Sequence, residues 1–475
     1  MLVCLLAAGL YFSVRTGWFQ FRRTGLWLRK TAGELMRSEG NPDSKEDLDS
    51  KEDPGRSWEK RSNGERTKAS GISQRQSICT ALAATVGTGN IVGVATAIVA
   101  GGPGAVFWMW VSACLGMMTG FAEKVLGMLY RKQKDGGGYQ GGPMTYMEDG
   151  LGIRWLAIGY AFLCVVASFG VGNMTQVHSL SQGMETAFGV PVWVTGMITA
   201  VVLAVVLMGG IHGIASLAEK LVPFMVVLYL GSALVVLGSQ WTQIPAAFGT
   251  IMREALGIRP AAGGVAGFGM ARAMSIGVAR GTFTHEAGVG SSVFAHSAAD
   301  TKEPVEQGMW GIFEVFVDTI VVCTVTALVI LTTGLNQGTA LDGAPLTMAC
   351  FSVFFPWGRQ LIAVCLALFG FASLVGWSYY GQQSAEYLWG RNGVRGYQLV
   401  YIAMVIMGAV ASLEVVWKLA DVCNGLMAIP NLAALCMLRR QVLAALTEYE
   451  GRKKKQSLFY SGKSVYTREK NQRKE

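Results

Sequence analysis

Charged side chains are scarce in this sequence. Asp, Glu, Lys and Arg make up only 15% of the 475 residues, whereas soluble domains contain about 25%. Hydrophobic residues make up 51%, and apolar runs near or above the length that crosses a bilayer, about 20 residues, recur along most of the chain. The shortage of charge excludes an ordinary soluble domain, and the long runs favour helices over the alternating strands of a barrel. We therefore predict an all-α, multi-pass membrane protein.

The sequence also lacks complete enzyme signatures. The nine cysteines form no CxxC pair, so we interpret them as small buried residues, neither disulfide partners nor metal ligands. His285 and Glu286 begin the HExxH pattern of a metalloprotease, but Val289 occupies the position of its second His. Gly87 and Gly89 only loosely match a dinucleotide-binding loop, and no strand precedes them. We expect no enzymatic activity, no catalytic residues and no organic cofactor.

Positive charges are concentrated towards the two ends of the chain, at residues 15–75 and 439–474. A basic tail can bind nucleic acid, but basic residues that flank membrane helices more simply mark the cytoplasmic side. We therefore expect a protein of the cell membrane, with the lipid bilayer as a partner and no nucleic acid. The basic, glycine-rich loop 131–154 and the basic tail 439–475 are predicted to be cytoplasmic.

Two segments precede the first long apolar run. Residues 1–14 are apolar but short for a full span, and they lack the basic region that begins a signal peptide. They are either a short extra transmembrane helix or the remnant of a longer one whose start is missing. Residues 15–76 are polar and contain the near-duplicate SKEDLDSKED. Because they have little that can form a core, we predict a partly disordered cytoplasmic segment.

Glycine interrupts the first long apolar run. Residues 77–101 are apolar enough to cross a membrane, but Gly87, Thr88, Gly89 and Asn90 lie at their middle. Glycine is less favourable than alanine inside a helix by about 1 kcal/mol, so we predict a break there. A broken membrane helix is tolerated only where its freed backbone groups meet protein, water or a ligand, which makes it a candidate binding site.

A second apolar run, residues 271–298, is interrupted in the same way. Each interrupted run begins a series of five predicted spans, which form two halves at residues 77–240 and 271–438. An odd number of spans makes the second half inverted relative to the first, which is the five-plus-five pattern of the LeuT-type fold. A polar outer stretch, residues 238–272, separates the halves. The predicted spans are 77–101, 105–130, 155–177, 192–208 and 217–237, then 271–298, 310–331, 360–388, 398–413 and 415–438.

Long motifs in this order resemble the alanine or glycine:cation symporter family, the sodium-coupled amino-acid carriers. They include ALAATVGTGNIVGVATAIVAGGPGAVFWMWVSA, SFGVGNMTQ, RGTFTHEAGVGSSVFAHSAA, GWSYYGQQSAEYLWG and DVCNGLMAIPN, and the matching stretches cover almost all of residues 77–438. The resemblance implies sodium-driven uptake of small amino acids and a location in the cytoplasmic membrane. It also implies about eleven transmembrane helices, one of which precedes the ten-helix repeat.

The chain departs from the usual pattern of this family in three places. His285 stands where the family usually has Asn, and Ala372 and Ser373 stand where it usually has two adjacent hydroxyl residues. The N-terminus is short, and the charged insertion before residue 77 is atypical. Because Ala372 has no side-chain oxygen, we expect a sodium site that is either weaker than that of its relatives or supplemented by water.

The two breaks supply the candidate substrate-binding residues. The first exposes the start of a half-helix, whose free N–H groups and positive dipole end suit the carboxylate of an amino acid. Thr88 and Asn90 can add side-chain hydrogen bonds, and the alternative is a pair of packing glycines. Carbonyls around Phe283 and Thr284, near the second break, are candidates for binding the substrate ammonium.

Two aromatic rings and one amide complete the predicted pocket. Phe283 and Trp377 are predicted to line it, because two bulky rings leave room for little more than a methyl group, although either ring can instead be a core or interfacial aromatic. Gln176 lies three residues after Asn173, so the two share a helical face. Gln176 either faces the ligand or bonds across helices.

Sodium prefers several oxygen ligands. We predict that carbonyls near Ala84 and Gly87, on the first broken helix, pair with the hydroxyl of Ser373. Acids within a membrane usually face a partner or a cavity, which singles out five residues: Glu123, Glu286, Glu314, Asp318 and Asp421. For Glu314 and Asp318, which are four residues apart, the alternatives are ion handling and a structural buried network. We place Glu286 first because it belongs to the second break. His285 is either a titrating group that makes transport pH-sensitive or a satisfied polar neighbour.

The leading hypothesis is a sodium-coupled symporter that imports small neutral amino acids, alanine or glycine, by alternating access. One alternative is a membrane protein that binds a small amino acid without transporting it. Another is a symporter with altered, proton coupling. A channel is less favoured, because two matched broken helices suit occlusion of a ligand better than a continuous pore.

Overall fold

The computed structural model describes residues 1–37, 72–133, 138–257, 263–337 and 340–472, and most of them lie in helices. The middle of the polar segment, residues 38–71, which we predict to be disordered, lies outside the described residues. The chain begins with four helices: α1 (Leu2–Arg15), α2 (Phe19–Arg22), α3 (Thr24–Lys30) and α4 (Ala32–Arg37).

The first half begins with the interrupted helix. A capping box starts it, since Ser73 Oγ accepts the N–H of Gln76 and Gln76 Oε1 accepts the N–H of Ser73. The elements of this half are α5 (Gln74–Thr85), a 3-10 turn (Thr88–Asn90), α6 (Val92–Gly101), α7 (Gly104–Leu129), β1 (Lys132–Gln133), β2 (Tyr139–Gln140), α8 (Pro143–Thr145), a π-helical segment (Tyr146–Gly150), α9 (Arg154–Phe169), a π-helical segment (Gly170–Met174), α10 (Thr175–Phe188), α11 (Val192–Met208) and α12 (Gly210–Ser239). The two strands pair antiparallel.

The second half follows a short outer helix. The polar outer stretch that we predict at 238–272 contains a 3-10 turn (Trp241–Gln243) and α13 (Ile244–Ala255), so part of it is helical. The remaining elements are α14 (Gly263–His285), α15 (Val293–Ser297), α16 (Pro304–Val315), a π-helical segment (Phe316–Cys323), α17 (Thr324–Thr333), α18 (Gly343–Ser352), α19 (Gly358–Val410) and α20 (Leu413–Gln472).

Six helical segments of the described residues are long and apolar enough to cross a membrane: Gly104–Leu129, Arg154–Phe188, Gly210–Ser239, Pro304–Thr333, Gly358–Val410 and Glu414–Lys453. Helix α19 covers two predicted spans, 360–388 and 398–413, and the positive φ of Gly390 (68°) marks the kink between them. Of the pieces of the two interrupted helices, α5, α6 and α15 have 12, 10 and 5 residues and are each too short to cross a membrane alone, whereas α14 has 23 residues but is not one of these six. Eleven spans therefore remain a prediction.

The N-terminal helices pack into the core. Phe19 and Trp27 are 1% and 2% exposed, and the ring of Phe19 lies 5.6 Å from that of Phe121 on α7. The indole of Trp27 donates to the carbonyl of Gln20. Phe19 and Trp27 therefore contribute to the core, although we expect little core from the composition of the polar segment to which they belong.

Both breaks lie in the interior of the protein. The first break comprises residues 86–91, between α5 and α6, and the second comprises residues 286–292, between α14 and α15. Helix α6 packs against α14, and α5 packs against α12 and α19. The breaks are buried, so each freed polar group of the backbone needs a partner from a neighbouring element or a ligand.

Candidate functional site

The side chain of Asn90 holds the first break in shape. Its Oδ1 accepts the backbone N–H of Gly87 at 2.9 Å, and the N–H groups of Asn90 and Ile91 donate within the turn, to the carbonyls of Gly87 and Thr88. The N–H of Thr88 donates to Gln176. Most of the backbone N–H groups that we expect to be free therefore donate hydrogen bonds within the protein. The N–H of Gly89 is left as the candidate donor to a substrate carboxylate.

Gln176 of α10 faces the first break. Its Oε1 accepts both the backbone N–H and the hydroxyl of Thr88, at 3.1 and 2.9 Å, while its Nε2 donates to the carbonyl of Val171. Asn173, one turn earlier, donates instead to the carbonyl of Tyr401 at 2.7 Å. Of the two amides that share a helical face, Gln176 therefore contacts the break and Asn173 ties α19 in place.

Ser373 of α19 closes another side of the first break. Its hydroxyl donates to the carbonyl of Ala83 at 3.1 Å, and a Cβ built on Gly87 would collide with Ser373 Oγ. Ala84 packs against Gly376, where an added Cβ would lie 2.7 Å from the Ala84 methyl. The carbonyl in direct contact with Ser373 is therefore that of Ala83, one residue before the predicted position at Ala84.

The second break begins later than the glycine at position 281 suggests. Helix α14 continues through His285, and the last helical bond runs from the N–H of Glu286 to the carbonyl of Thr282. The next two N–H groups, of Ala287 and Gly288, donate to His285 Nδ1 and Glu123 Oε1. In a continuing helix they would donate to the carbonyls of residues 283 and 284, so these two carbonyls remain available to a ligand.

The first break meets the end of α14 at Gly89. A Cβ built on this residue would lie 3.0 Å from Phe283 Cε1 and 3.1 Å from Thr284 Cγ2. The ring of Phe283 packs on Trp417 with centroids 4.7 Å apart. Arg280 lies over Trp417 at 4.3 Å and forms a 2.8 Å ion pair with Asp421 of α20. These contacts fix Phe283 against the first break, as its predicted role in lining a pocket requires.

Glu286 and Trp377 bind each other. Glu286 is one of two non-glycine residues with positive φ (54°) in the described part of the chain, a conformation that usually has a structural or functional cause. Its Oε1 accepts the indole N–H of Trp377 at 2.8 Å, and its Oε2 accepts the hydroxyl of Ser291. A Cβ on Gly172 would collide with Trp377. The indole is therefore fixed in both position and orientation.

His285 faces α7 rather than the first break. Its Nε2 lies 3.0 Å from Ser112 Oγ, and its Nδ1 accepts the N–H of Ala287. Gly116 of α7 lies against the ring, because a Cβ built on Gly116 would be 3.0 Å from His285 Cε1. Both ring nitrogens are engaged within the protein, which favours the satisfied polar neighbour over the titrating group among our two interpretations of His285.

Asp318 joins the two breaks from a third side. Its Oδ1 accepts Asn90 Nδ2 at 2.5 Å, and its Oδ2 accepts the hydroxyl of Thr319 at 2.7 Å. The Thr319 hydroxyl lies 3.3 Å from that of Thr284. We placed Glu286 above Asp318 because only Glu286 belongs to a break in the sequence. The structure gives Asp318 the more oxygen-rich surroundings, which are those that sodium prefers.

Buried acids outnumber buried bases in the described residues. Four carboxylates are at most 3% exposed, whereas one ammonium is: the acids are Glu123, Glu286, Glu314 and Asp318, and the base is Lys124. Lys124 is a functional candidate that the sequence analysis missed, and its signal was a lysine within the apolar run of α7. A buried excess of negative charge requires bound cations or protons.

Comparisons with known proteins identify the family of the chain. The profile of the sodium:alanine symporter family matches residues 55–461. The sodium/alanine symporter AgcS of Methanococcus maripaludis is 43% identical over 389 residues, which cover 80% of this chain and 84% of AgcS. The probable sodium/glutamine symporter GlnT of Bacillus subtilis is 41% identical over 394 residues, 82% of this chain and 81% of GlnT.

The same fold occurs among solved structures. The crystal structure of MhsT in complex with L-phenylalanine matches with a TM-score of 0.57 and 12% sequence identity, over 77% of this chain and 89% of MhsT. At this identity the likeness concerns the fold alone, which is that of the LeuT-like transporters. The helices, the profile match and the two relatives lead to one conclusion: this multi-pass membrane protein belongs to the sodium:alanine symporter family.

Proposed function

We propose that this protein is a sodium-coupled symporter that imports small neutral amino acids, alanine or glycine, by alternating access. The observation that carries the proposal is the contact at Gly89 between the first break and the end of α14, where Phe283 and Thr284 approach within about 3 Å of an added Cβ. A ligand at this junction would contact both halves of the repeat, and relative movement of the halves would then open it to one side or the other.

The substrate would bind along this junction. We assign its carboxylate to the first break, at Gly87, Thr88, Gly89 and Asn90, with Gln176 holding Thr88 in place. We assign its ammonium to the carbonyls of Phe283 and Thr284. Trp377 and the ring of Phe283 would limit the side chain to a small group. AgcS and GlnT carry the names of different amino acids, alanine and glutamine, so the size limit needs a direct test.

Sodium would bind next to the substrate. We assign one group of ligands to Ser373 and to carbonyls at Ala83, Ala84 and Gly87, because the Ser373 hydroxyl already contacts the Ala83 carbonyl. The excess of buried acids supports binding of either sodium or protons next to the substrate, because an amino acid is a zwitterion at neutral pH and its binding does not offset that charge. We assign neither an enzymatic activity nor an organic cofactor to the protein.

The proposed symporter would have two inverted halves and cytoplasmic basic segments. Residues 77–240 and 271–438 would form the two inverted halves, preceded by α1 and followed by a basic cytoplasmic tail from residue 439. The basic loop 131–154 would also face the cytoplasm, according to the positive-inside rule.

Uptake into proteoliposomes tests the proposed function. With radiolabelled alanine, an inward sodium gradient should drive accumulation above the level that potassium or choline gives at equal ionic strength. A panel of glycine, alanine, serine and glutamine would then define the size limit. Binding of alanine without gradient-driven accumulation would reject the symporter in favour of a non-transporting binding protein, and accumulation driven by a proton gradient alone would reject sodium coupling.

Ser373→Ala should raise the sodium concentration for half-maximal uptake by about tenfold. The change removes one oxygen ligand, and a lost hydrogen bond or ligand to a charged group is worth about 1.5–3 kcal/mol, or roughly 10- to 100-fold in affinity. The matched control is Ser378→Ala, on the same helix, because the Ser378 hydroxyl is equally buried and donates to its own helix at Val375. If the two variants show equal sodium dependence of uptake, Ser373 is not a ligand of the cation.

A further inference from the structure

A buried lysine lies between α7 and α16 and has no place in the proposed site. The side chain of Lys124 is 1% exposed. It lies where two glycines bring the helices together: a Cβ on Gly311 would lie 2.9 Å from Lys124 Cδ and 2.9 Å from the carbonyl oxygen of Gly120. Burial of an ammonium in a membrane protein is strongly unfavourable without partners. The close contact between α7 and α16 thus encloses the Lys124 side chain, and its ammonium needs partners within the protein.

Two carboxylates bind this ammonium, and each also reaches one of the breaks. Lys124 Nζ lies 3.2 Å from Glu314 Oε2 and 3.7 Å from Glu123 Oε2. The other oxygen of Glu314 accepts the hydroxyl of Thr85, the last residue of α5, at 2.6 Å. The other oxygen of Glu123 accepts the backbone N–H of Gly288, in the second break, at 2.9 Å. Two hydrogen bonds at carboxylates and two ion-pair contacts at Lys124 Nζ therefore link Thr85, next to the first break, to Gly288 in the second.

Neighbouring side chains fix both ends of this chain of contacts. His296 Nε2, on α15, lies 3.2 Å from Glu314 Oε2, and Gln307 holds the other ring nitrogen of His296 at 2.8 Å. Asn431 Nδ2, on α20, donates to Glu123 Oε1 at 2.6 Å and to the carbonyl of Gly288 at 2.9 Å. A displacement of either carboxylate would therefore disturb more than its bond to Lys124.

We propose that Lys124 is a positioning residue that couples the two breaks. Its ammonium holds Glu314 and Glu123 together, so that ordering of the first break by sodium, sensed through Thr85, also orders the second break at Gly288. In a medium of low dielectric constant, one ammonium between two carboxylates resists separation from either. This inference deepens the proposed function and rests on it, because it requires sodium to bind at the first break.

Hydrogen exchange of the purified full chain tests the coupling. In the parent protein, sodium compared with choline at equal ionic strength should slow amide exchange in peptides that cover both breaks, residues 82–92 and 284–292. In Lys124→Met, sodium should still slow exchange at the first break but no longer at the second. Slowing at both breaks in this variant would overturn the coupling. Absence of any sodium effect in the parent would instead reject the proposed function, and the inference with it.

Two substitutions at Thr85 test the coupling between the breaks if Lys124→Met does not fold. Thr85→Val removes the link to Glu314 and leaves the buried ion pairs intact, whereas Thr85→Ser retains the hydroxyl as a matched control. We expect Thr85→Val to lose the protection of residues 284–292 and to raise the sodium concentration for half-maximal uptake about tenfold. Thr85→Ser should match the parent in both measurements. Identical behaviour of the two Thr85 variants would overturn the proposal.

A charge-balanced double variant separates the role of Lys124 in coupling from its contribution to charge balance. The Lys124 ammonium and the carboxylates of Glu123 and Glu314 together carry one net negative charge. Lys124→Met combined with Glu123→Gln keeps that net charge, and the amide oxygen can still accept the N–H of Gly288. The double variant should fold at least as well as Lys124→Met but still lack sodium protection at the second break. Restored protection would show that charge balance alone suffices and would overturn the positioning role.

Discussion

Gly87→Ala is expected to reduce alanine uptake by at least about 100-fold while the protein still folds. A Cβ at this position would overlap Ser373 Oγ and lie 3.0 Å from Gln176 Oε1. Neither atom can move freely, because Ser373 is bonded to the Ala83 carbonyl and Gln176 to Thr88. Overpacking costs about 1–3 kcal/mol, or roughly 5- to 150-fold in affinity. Ser373 belongs to the proposed cation site and Gln176 to the proposed substrate site. The reductions in the affinity for sodium and in the affinity for alanine therefore multiply.

Gly93→Ala is the matched control for this experiment. Gly93 lies in α6, on the other side of the first break, and a Cβ built there would have Trp417 Cη2 as its nearest neighbour, at an ordinary contact distance of 3.6 Å. Uptake by the Gly93 variant should remain within about twofold of the parent. Although Gly93 is buried, a methyl group added there overlaps no atom and should change the free energy little. Sodium-driven uptake by Gly87→Ala at the parental rate would exclude this residue from the site.

The sequence allows the first break to be located because its cause is local. Two glycines, a threonine and an asparagine within an apolar run are unfavourable in a helix, and the helix indeed ends at Thr85 and resumes at Val92. The sequence places the second break only within residues 271–298, because Gly281 is tolerated inside α14. The helix ends only where the N–H groups of Ala287 and Gly288 find side-chain acceptors, and such partners are set by tertiary structure.

The partners of buried polar groups could not be predicted from spacing. Asp318 and Glu314 are four residues apart, which suggests one shared network, yet Asp318 binds Asn90 and Glu314 binds Thr85 and Lys124. A π-helical segment begins at Phe316, between the two acids, and changes the directions in which they project. Helical periodicity assumes a regular α-helix, so it gives the wrong neighbours wherever the backbone departs from one.

Asp318→Asn is expected to raise the sodium concentration for half-maximal uptake by about 10- to 100-fold. The carboxylate lies between Asn90 of the first break and Thr319, whose hydroxyl is near that of Thr284 beside the second break. The amide keeps the shape and an acceptor for Asn90 but removes the negative charge. Loss of a charge-assisted contact is worth about 1.5–3 kcal/mol, and tenfold in affinity corresponds to about 1.4 kcal/mol.

A carboxylate on the same helical run provides the control for Asp318. Glu306, near the start of α16, pairs with Lys30 at 2.9 Å and with the Tyr449 hydroxyl, at the partly exposed end of the helix. Glu306→Gln removes the same charge from the chain, so it should leave the sodium dependence unchanged. If Asp318→Asn also keeps the parental sodium dependence, Asp318 only shapes the first break. Because Ser373 contacts the opposite side of that break, the Ser373 and Asp318 variants together determine which side holds the cation.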